Sequence, residues 1–332
     1  MKNIKKLPDL QWISLNAMED RRKILLITSP SGEKASKNHV KNFNFVKTIH
    51  INTSEKVRVE KISLPSNGAE VIYAIGSGRV MDVSRFLAEK WSMDVICVPT
   101  IISSDAFLVD CTGLRENGCV TYVPSKLANK VILDWEILKN TPARFHLSGC
   151  GDVLSIYTAL FDWKYASVNH IEEYNKGVAA MADGILNGML SHAYEIKNEE
   201  RKGLEAIITA LCMEVTLCNL HGNSRSEEGG EHFFTYCIEN NMQHFLHGEM
   251  VAFGTLLTAC IQGQNIHQIK DFMDVVRLNY KPEGLTRNIV IKTLKELPSY
   301  VKKHKLSYSI YNNFTFKKDE IEDILDKIGL VV

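Results

Sequence analysis

The chain has 332 residues, 45% of them apolar, and its 39 lysines and arginines balance 39 acidic residues, so the formal net charge is zero. That length exceeds what one compact core usually holds and implies two domains, while charge neutrality argues against nucleic acid or an anionic membrane surface as a partner. No apolar run reads as membrane-spanning, and MKNIKKLPDLQWISL lacks the apolar core and small-residue cleavage site of a signal peptide, so a cytoplasmic protein is expected.

Taken in chain order, RRKILLITSP carries an apolar run from Ile24 to Thr28 closed by Pro30 and Gly32, a strand signal. FVKTIHINT is a second strand, EVIYAIGSG a third that ends in glycines, and MDVICVPT a fourth that ends at Pro99. Between the last two, Val80, Val83, Phe86 and Leu87 fall at helical spacing. Short apolar runs alternating with helices predict a parallel sheet covered on both faces, the frame of a nucleotide-binding domain. FLVDCTGLRENGCVTYVPS places Asn117-Gly118 between β-prone flanks, which predicts a hairpin, because both central residues of a type I′ turn need positive φ. KVILDWEIL returns as a strand leading into a helix, and Thr141-Pro142 marks a boundary.

From residue 143 to 281 there is no proline, although the chain has eight, and long segments there space apolar residues three and four apart. A helical domain follows from that pattern, with a last amphipathic helix in FTFKKDEIEDILDKIGLVV. The division expected is therefore 1–142, an α/β domain, and 143–332, a helical one. The eight cysteines form no C-x-x-C pair and sit mostly in apolar contexts, so they read as reduced core residues.

Three places can carry chemistry. AIGSGRVMD is a strand, a glycine turn and a helix start: Gly76 and Gly78 remove side chains that would block a ligand, and the helix beginning near Arg79 aims free N–H groups at an anion such as a pyrophosphate; the bland reading is a tight turn. VPTIISSDAF puts Thr100, Ser103, Ser104 and Asp105 at the carboxyl edge of the same sheet, where α/β proteins bind ligands; the bland reading is a helix cap. Asp152, behind a Gly-Cys-Gly that reads as a turn, together with His232 in GGEHFF and His247 in FLHGEM, offers one carboxylate and two imidazoles from separate helices. That set suits Zn²⁺, Fe²⁺ or Ni²⁺ and leaves room for a substrate oxygen, although a lone histidine on a helix is more often structural.

At these residues the sequence resembles the iron-containing alcohol dehydrogenase and glycerol dehydrogenase superfamily, and within it the glycerol-1-phosphate dehydrogenases. GSGRVMDVSRFLA stands where that family has a glycine-rich segment, VPTIISSDAF matches its P-T-x-x-S-x-D-G, GCGDVLSIYTALFDW matches its G-x-GD…DW, and EH with LHGEMVAFGTLL matches its two histidine motifs, all in the family's order. The resemblance implies an α/β N-terminal Rossmann-like domain plus an all-α C-terminal domain, the dehydroquinate synthase-like architecture, with NAD or NADP and one divalent metal in a cleft. Zinc is the metal preferred, with iron or nickel as alternatives. It places Asp152, His232 and His247 at the metal ligands, and Ser77, Gly78, Arg79, Val80, Met81, Asp82, Thr100 and Ser103 on the dinucleotide segments. Asp105, Asp152 and Tyr236 fall at the catalytic positions. The implied reaction is oxidation of a small polyol or polyol phosphate, glycerol 1-phosphate to dihydroxyacetone phosphate foremost, with the metal polarising the reacting oxygen while hydride passes to nicotinamide. A homo-oligomer is left open.

The chain departs from the family in SRSEEGGEHFFTY. The family's proline is Ser226, Glu227 and Glu228 intervene, and a histidine expected four residues beyond the first histidine ligand is Tyr236. Acids near a phosphate repel it, so an unphosphorylated polyol is a rival substrate. A cyclase resembling dehydroquinate synthase and a non-catalytic nucleotide-binding protein are the two remaining classes. The cyclase would want a cluster of cations around its carboxylate and phosphate, and only Lys126, Lys130 and Arg144 offer themselves.

Overall fold

A computed structural model describes residues 6–66, 68–242 and 245–330. The chain clusters into two compact units, Lys6–His146 and the helical remainder from Leu147, with the division inside a single helix.

The first unit holds strands β1 (Asp9–Trp12), β2 (Asp20–Thr28), β3 (Phe43–His50), β4 (Val71–Gly76), β5 (Asp94–Pro99), β6 (Cys111–Glu116), β7 (Cys119–Pro124) and β8 (Lys130–Leu133). Its helices are α1 (Pro30–Ser36), α2 (Lys56–Val59), α3 (Gly78–Trp91) and α4 (Trp135–Leu138). Six strands form one sheet in the order β1-β8-β5-β4-β2-β3, every pair parallel. Val71 to Gly76 are all buried, as are Ile24 to Ile27, which is why these strands read as unbroken apolar runs instead of alternating ones. The chain runs from β2 outward to β3 and then returns to β4 on the opposite side of β2. The order therefore reverses at β2 and β4, and the crevice at their carboxyl ends is where open α/β sheets bind ligands.

β6 and β7 pair antiparallel through Asn117 (φ 53°) and Gly118 (φ 80°), the turn the Asn-Gly dipeptide predicts. β1 is a four-residue edge strand that carries no periodic signal of its own. No disulfide joins any of the eight cysteines, and burial pushes the thiols of Cys97 and Cys150 up to about 12.

The helical unit follows: α5 (Ala143–Leu154), in which the division falls, α6 (Ile156–Val168), α7 (Lys176–Leu190), α8 (Ala193–Lys197) and α9 (Arg201–His221) come first. α10 (Gly230–Asn241), α11 (His247–Ile261), α12 (His267–Val276), α13 (Arg287–His304) and α14 (Lys318–Ile328) complete it. One expectation changes here. α9 is long and apolar enough to cross a membrane by length and composition, with a mean hydropathy of 1.5, although no such run is evident by eye. Half of that window is buried, and α9 packs on α7 and α8 through a face that includes Leu204, Ile207, Leu211 and Val215, as a core helix does.

Candidate metal centre and nucleotide site

Gly149 to Gly151 do not form a turn. They lie inside α5, and Asp152 extends from that helix one residue beyond Gly151. The glycines serve a close approach: a Cβ on Gly151 would stand 1.9 Å from the Gly248 carbonyl oxygen, and a Cβ on Gly248 would stand 1.8 Å from that of Ser148. Without side chains at these two points the backbones of α5 and α11 touch, and the Gly248 N–H donates to Ser148 Oγ at 3.1 Å. Each glycine is the sequence neighbour of a predicted ligand, so this contact sets Asp152 against His247.

His232 comes from the first turn of α10, which packs along α11. Asp152 Oδ1 lies 3.6 Å from His232 Nε2 and 3.7 Å from His247 Nε2. The three ligand atoms all lie within 4.8 Å of one another. Donors about 2.0–2.2 Å from a tetrahedral ion stand roughly 3.3–3.5 Å apart, so the spacing fits one small cation. Asp152 Oδ1 is buried and accepts no hydrogen bond from the described residues, a costly state for a carboxylate oxygen unless a cation meets it. His247 keeps 35% of its side chain exposed, leaving an approach for substrate.

Behind the imidazoles stand two carboxylates that the sequence reading did not single out. His232 Nδ1 is 3.0 Å from Glu231 Oε1, and His247 Nδ1 is 3.0 Å from Glu239 Oε1. A carboxylate only accepts, so each Nδ1 carries a proton, and each Nε2, on the side of Asp152, is the nitrogen that would give its lone pair to a cation. Glu231 is fully buried and also takes the Gly229 N–H at 2.6 Å and the Thr158 hydroxyl at 2.7 Å. Burial by itself would push both imidazoles down; the surrounding carboxylates outweigh it, Asp152 and Glu231 holding His232 well above 6.5, and Glu239 and Asp152 raising His247. The signal that could have found them is EHFFTYCIE, Glu231 to Glu239, where apolar side chains dominate between the two acids; the structure buries every residue of that stretch, so each acid needs a partner.

Asp162, the acid of the DW pair, is a second residue that the sequence reading left without a role. Its Oδ2 accepts the Gly230 N–H and its Oδ1 the Ile310 N–H, both at 2.8 Å, which ties the start of α10 to the turn Ile310–Asn312. Burial, with the Glu231 charge adding to it, pushes its carboxyl up to about 7. Tyr236 is 3% exposed, its ring centroid 5.8 Å from that of His232 and 6.4 Å from that of His247. Its hydroxyl donates to Glu228 Oε1, so the ring lies against both imidazoles with its phenol turned to that acid.

In the α/β unit, Ser77 is the N-cap of α3 but makes no side-chain cap bond, so the first N–H groups of that helix face outward from the end of β4. A Cβ on Gly78 would stand 3.1 Å from Ser104 Oγ and 3.9 Å from Ser103 Oγ, so the glycine turn and the VPTIISSD loop lie together at the switch crevice. Thr100 is drawn there by its N–H, which donates to the Gly76 carbonyl at 2.9 Å. Arg79 is held to the Asn52 carbonyl at 3.3 Å. The side chains of three predicted cofactor residues point elsewhere: Val80 and Met81 are buried in the core, and Asp82 pairs with Arg85 at 2.8 Å. Their side chains help build the helix, and a cofactor at this end of α3 would meet main-chain N–H groups instead. Asp105 closes a turn through its carbonyl, which accepts the Leu108 N–H at 2.7 Å.

Residues 13–142 match the family model described as iron-containing alcohol dehydrogenase. The chain is 30% identical over 245 residues to a glycerol-1-phosphate dehydrogenase [NAD(P)+] of Methanosarcina acetivorans, covering 73% of this chain and 69% of that protein. Among solved structures, a probable glycerol dehydrogenase from Sinorhizobium meliloti 1021 superposes with a TM-score of 0.68 at 15% identity, covering 97% of each chain. The 2-epi-5-epi-valiolone synthase ValA of Streptomyces hygroscopicus, solved with NAD+ and Zn2+ bound, gives 0.66 at 14% identity, over 99% of this chain and 98% of that one. At those identities the solved structures show the fold, and the sequence relative shows the lineage: the chain belongs to the iron-containing alcohol dehydrogenase superfamily, among the relatives of the glycerol-1-phosphate dehydrogenases.

Proposed function

We propose that the chain is a metal-dependent NAD(P) alcohol dehydrogenase that interconverts a small polyol, or its phosphate, with the matching ketone. The observation that carries this reading is the buried, unbonded Asp152 Oδ1 with two imidazole Nε2 atoms beside it. The glycerol-1-phosphate dehydrogenases to which the chain is related put glycerol 1-phosphate and dihydroxyacetone phosphate first among the substrates to try, with unphosphorylated glycerol next.

Asp152, His232 and His247 would hold the divalent metal through Oδ1, Nε2 and Nε2. When bound, the metal supplies Lewis-acid polarisation of the reacting oxygen, and the nicotinamide supplies the hydride acceptor or donor. Glu231 and Glu239 keep each imidazole in the tautomer that frees Nε2. Tyr236 flanks both rings on one side. The N–H groups at the start of α3, with Ser77, Gly78 and Ser103, would receive the dinucleotide phosphates, and Asp105, which stands in a matching motif, would contact the substrate.

The test is metal analysis of the purified protein together with NAD(P)-linked turnover of glycerol and glycerol 1-phosphate. Substitution His247→Ala should remove both metal and turnover while the α/β unit still binds NAD(P). A His247→Ala protein with its full metal content and activity would overturn the assignment.

A further inference from the structure

The stretch SRSEEGGEHFFTY crosses the connection from α9 into α10 and brings one more acid to the metal centre. Tyr236 stands one helical turn beyond His232, and its ring lies nearly parallel to that of His247, 18° between planes. The phenol donates to Glu228 Oε1, and Ser224 Oγ donates to Glu228 Oε2 at 2.8 Å. Glu228 is thereby fixed against the aromatic wall of the site, and its charge is among those felt by His232.

Four carboxylates, those of Asp152, Glu228, Glu231 and Glu239, thus surround two imidazoles. With a divalent cation and neutral imidazoles the centre carries a formal charge of about two negative. A phosphate dianion two bonds from the reacting carbon would enter that field and meet like charge. A hydroxyl at the same place brings a proton, and a carboxylate accepts it in a charge-assisted bond; the dianion has no proton to give.

We propose that Glu228, held by Tyr236, is a specificity-determining residue that selects an unphosphorylated polyol over its phosphate ester. This rests on the polyol dehydrogenase reading above and chooses within it. The experiment is kcat/KM for glycerol and for glycerol 1-phosphate with the zinc-loaded protein, together with the inhibition constant of inorganic phosphate. The native protein should favour glycerol at least tenfold. In Glu228→Gln the preference should shrink at least tenfold through a gain on the phosphate ester, and inorganic phosphate should inhibit at least tenfold more tightly; Glu228→Asp should keep the native pattern. A native protein that prefers glycerol 1-phosphate, or a Glu228→Gln variant with both ratios unchanged, overturns the proposal and leaves the dehydrogenase reading standing. Absence of NAD(P)-linked turnover on either compound overturns that reading instead. If Glu228→Gln does not fold, a native preference for glycerol 1-phosphate still overturns the proposal, and loss of the native pattern in Glu228→Asp does so as well.

Discussion

Replacing Gly248 by alanine should unmake the metal centre without touching a ligand. The new Cβ would sit 1.8 Å from the Ser148 carbonyl oxygen and 2.6 Å from its carbon, where real contacts begin near 3 Å, so α5 and α11 must part by roughly 1.2 Å. Backbone atoms cannot rotate away as a side-chain tip can. The penalty therefore falls at the upper end of overpacking, about 3 kcal/mol, which for a unit of this size lowers Tm by roughly 6–12 °C. Asp152 moves with α5 and His247 with α11, and a site held to about 0.5 Å tolerates no such shift. Metal content after dialysis against a weak chelator, read beside a thermal melt, measures both effects. Gly184→Ala on α7 is the control: its Cβ would meet nothing within 4 Å, so it should keep its metal and melt slightly higher. A Gly248→Ala protein with native metal content and melting point would show that helix contact does not set the ligand geometry.

Glu239→Gln should weaken metal affinity about 10–100-fold with the fold retained, because an amide facing His247 Nδ1 no longer favours the tautomer that frees Nε2; competition with a chromophoric chelator reads this, and unchanged affinity would remove Glu239 from the site. Asp162 titrates near 7 when folded against 3.8 as its ordinary value, so its contribution to stability is fully present below about pH 3.8 and is lost as pH rises through about 7. The difference in unfolding free energy between the native protein and Asp162→Asn should accordingly fall by a few kcal/mol from pH 4 to 8 and level off above, and a flat difference would contradict a raised carboxyl.

The sequence by itself determined the α/β and helical character of the two halves and the hairpin, and it singled out Asp152, His232 and His247 as candidate ligands, because each is written in neighbours along the chain: apolar runs bounded by glycine and proline, Asn117-Gly118, and acids and histidines set in motifs that match a family in order. Periodicity is a one-dimensional signal, and it is strong for elements such as β4 and α3. What it could not carry is any fact about two elements meeting. Gly149 to Gly151 read as a turn because glycines often are one, yet here they are helical, and Gly151 lacks a side chain where the backbone at Gly248 passes. Val80, Met81 and Asp82 lie in a nucleotide motif, but the helix directs them into the core and onto Arg85.

The partners of the histidines were likewise a tertiary matter. Glu231 is next to His232 in sequence, whereas Glu239 reaches His247 across a break between helices, and Thr158 reaches Glu231 from a third. Nothing in composition says which buried acid faces which imidazole. Ligand identity is a property of residue type and order; ligand geometry, tautomer and local charge come from helix packing, and packing appears only when the chain is folded.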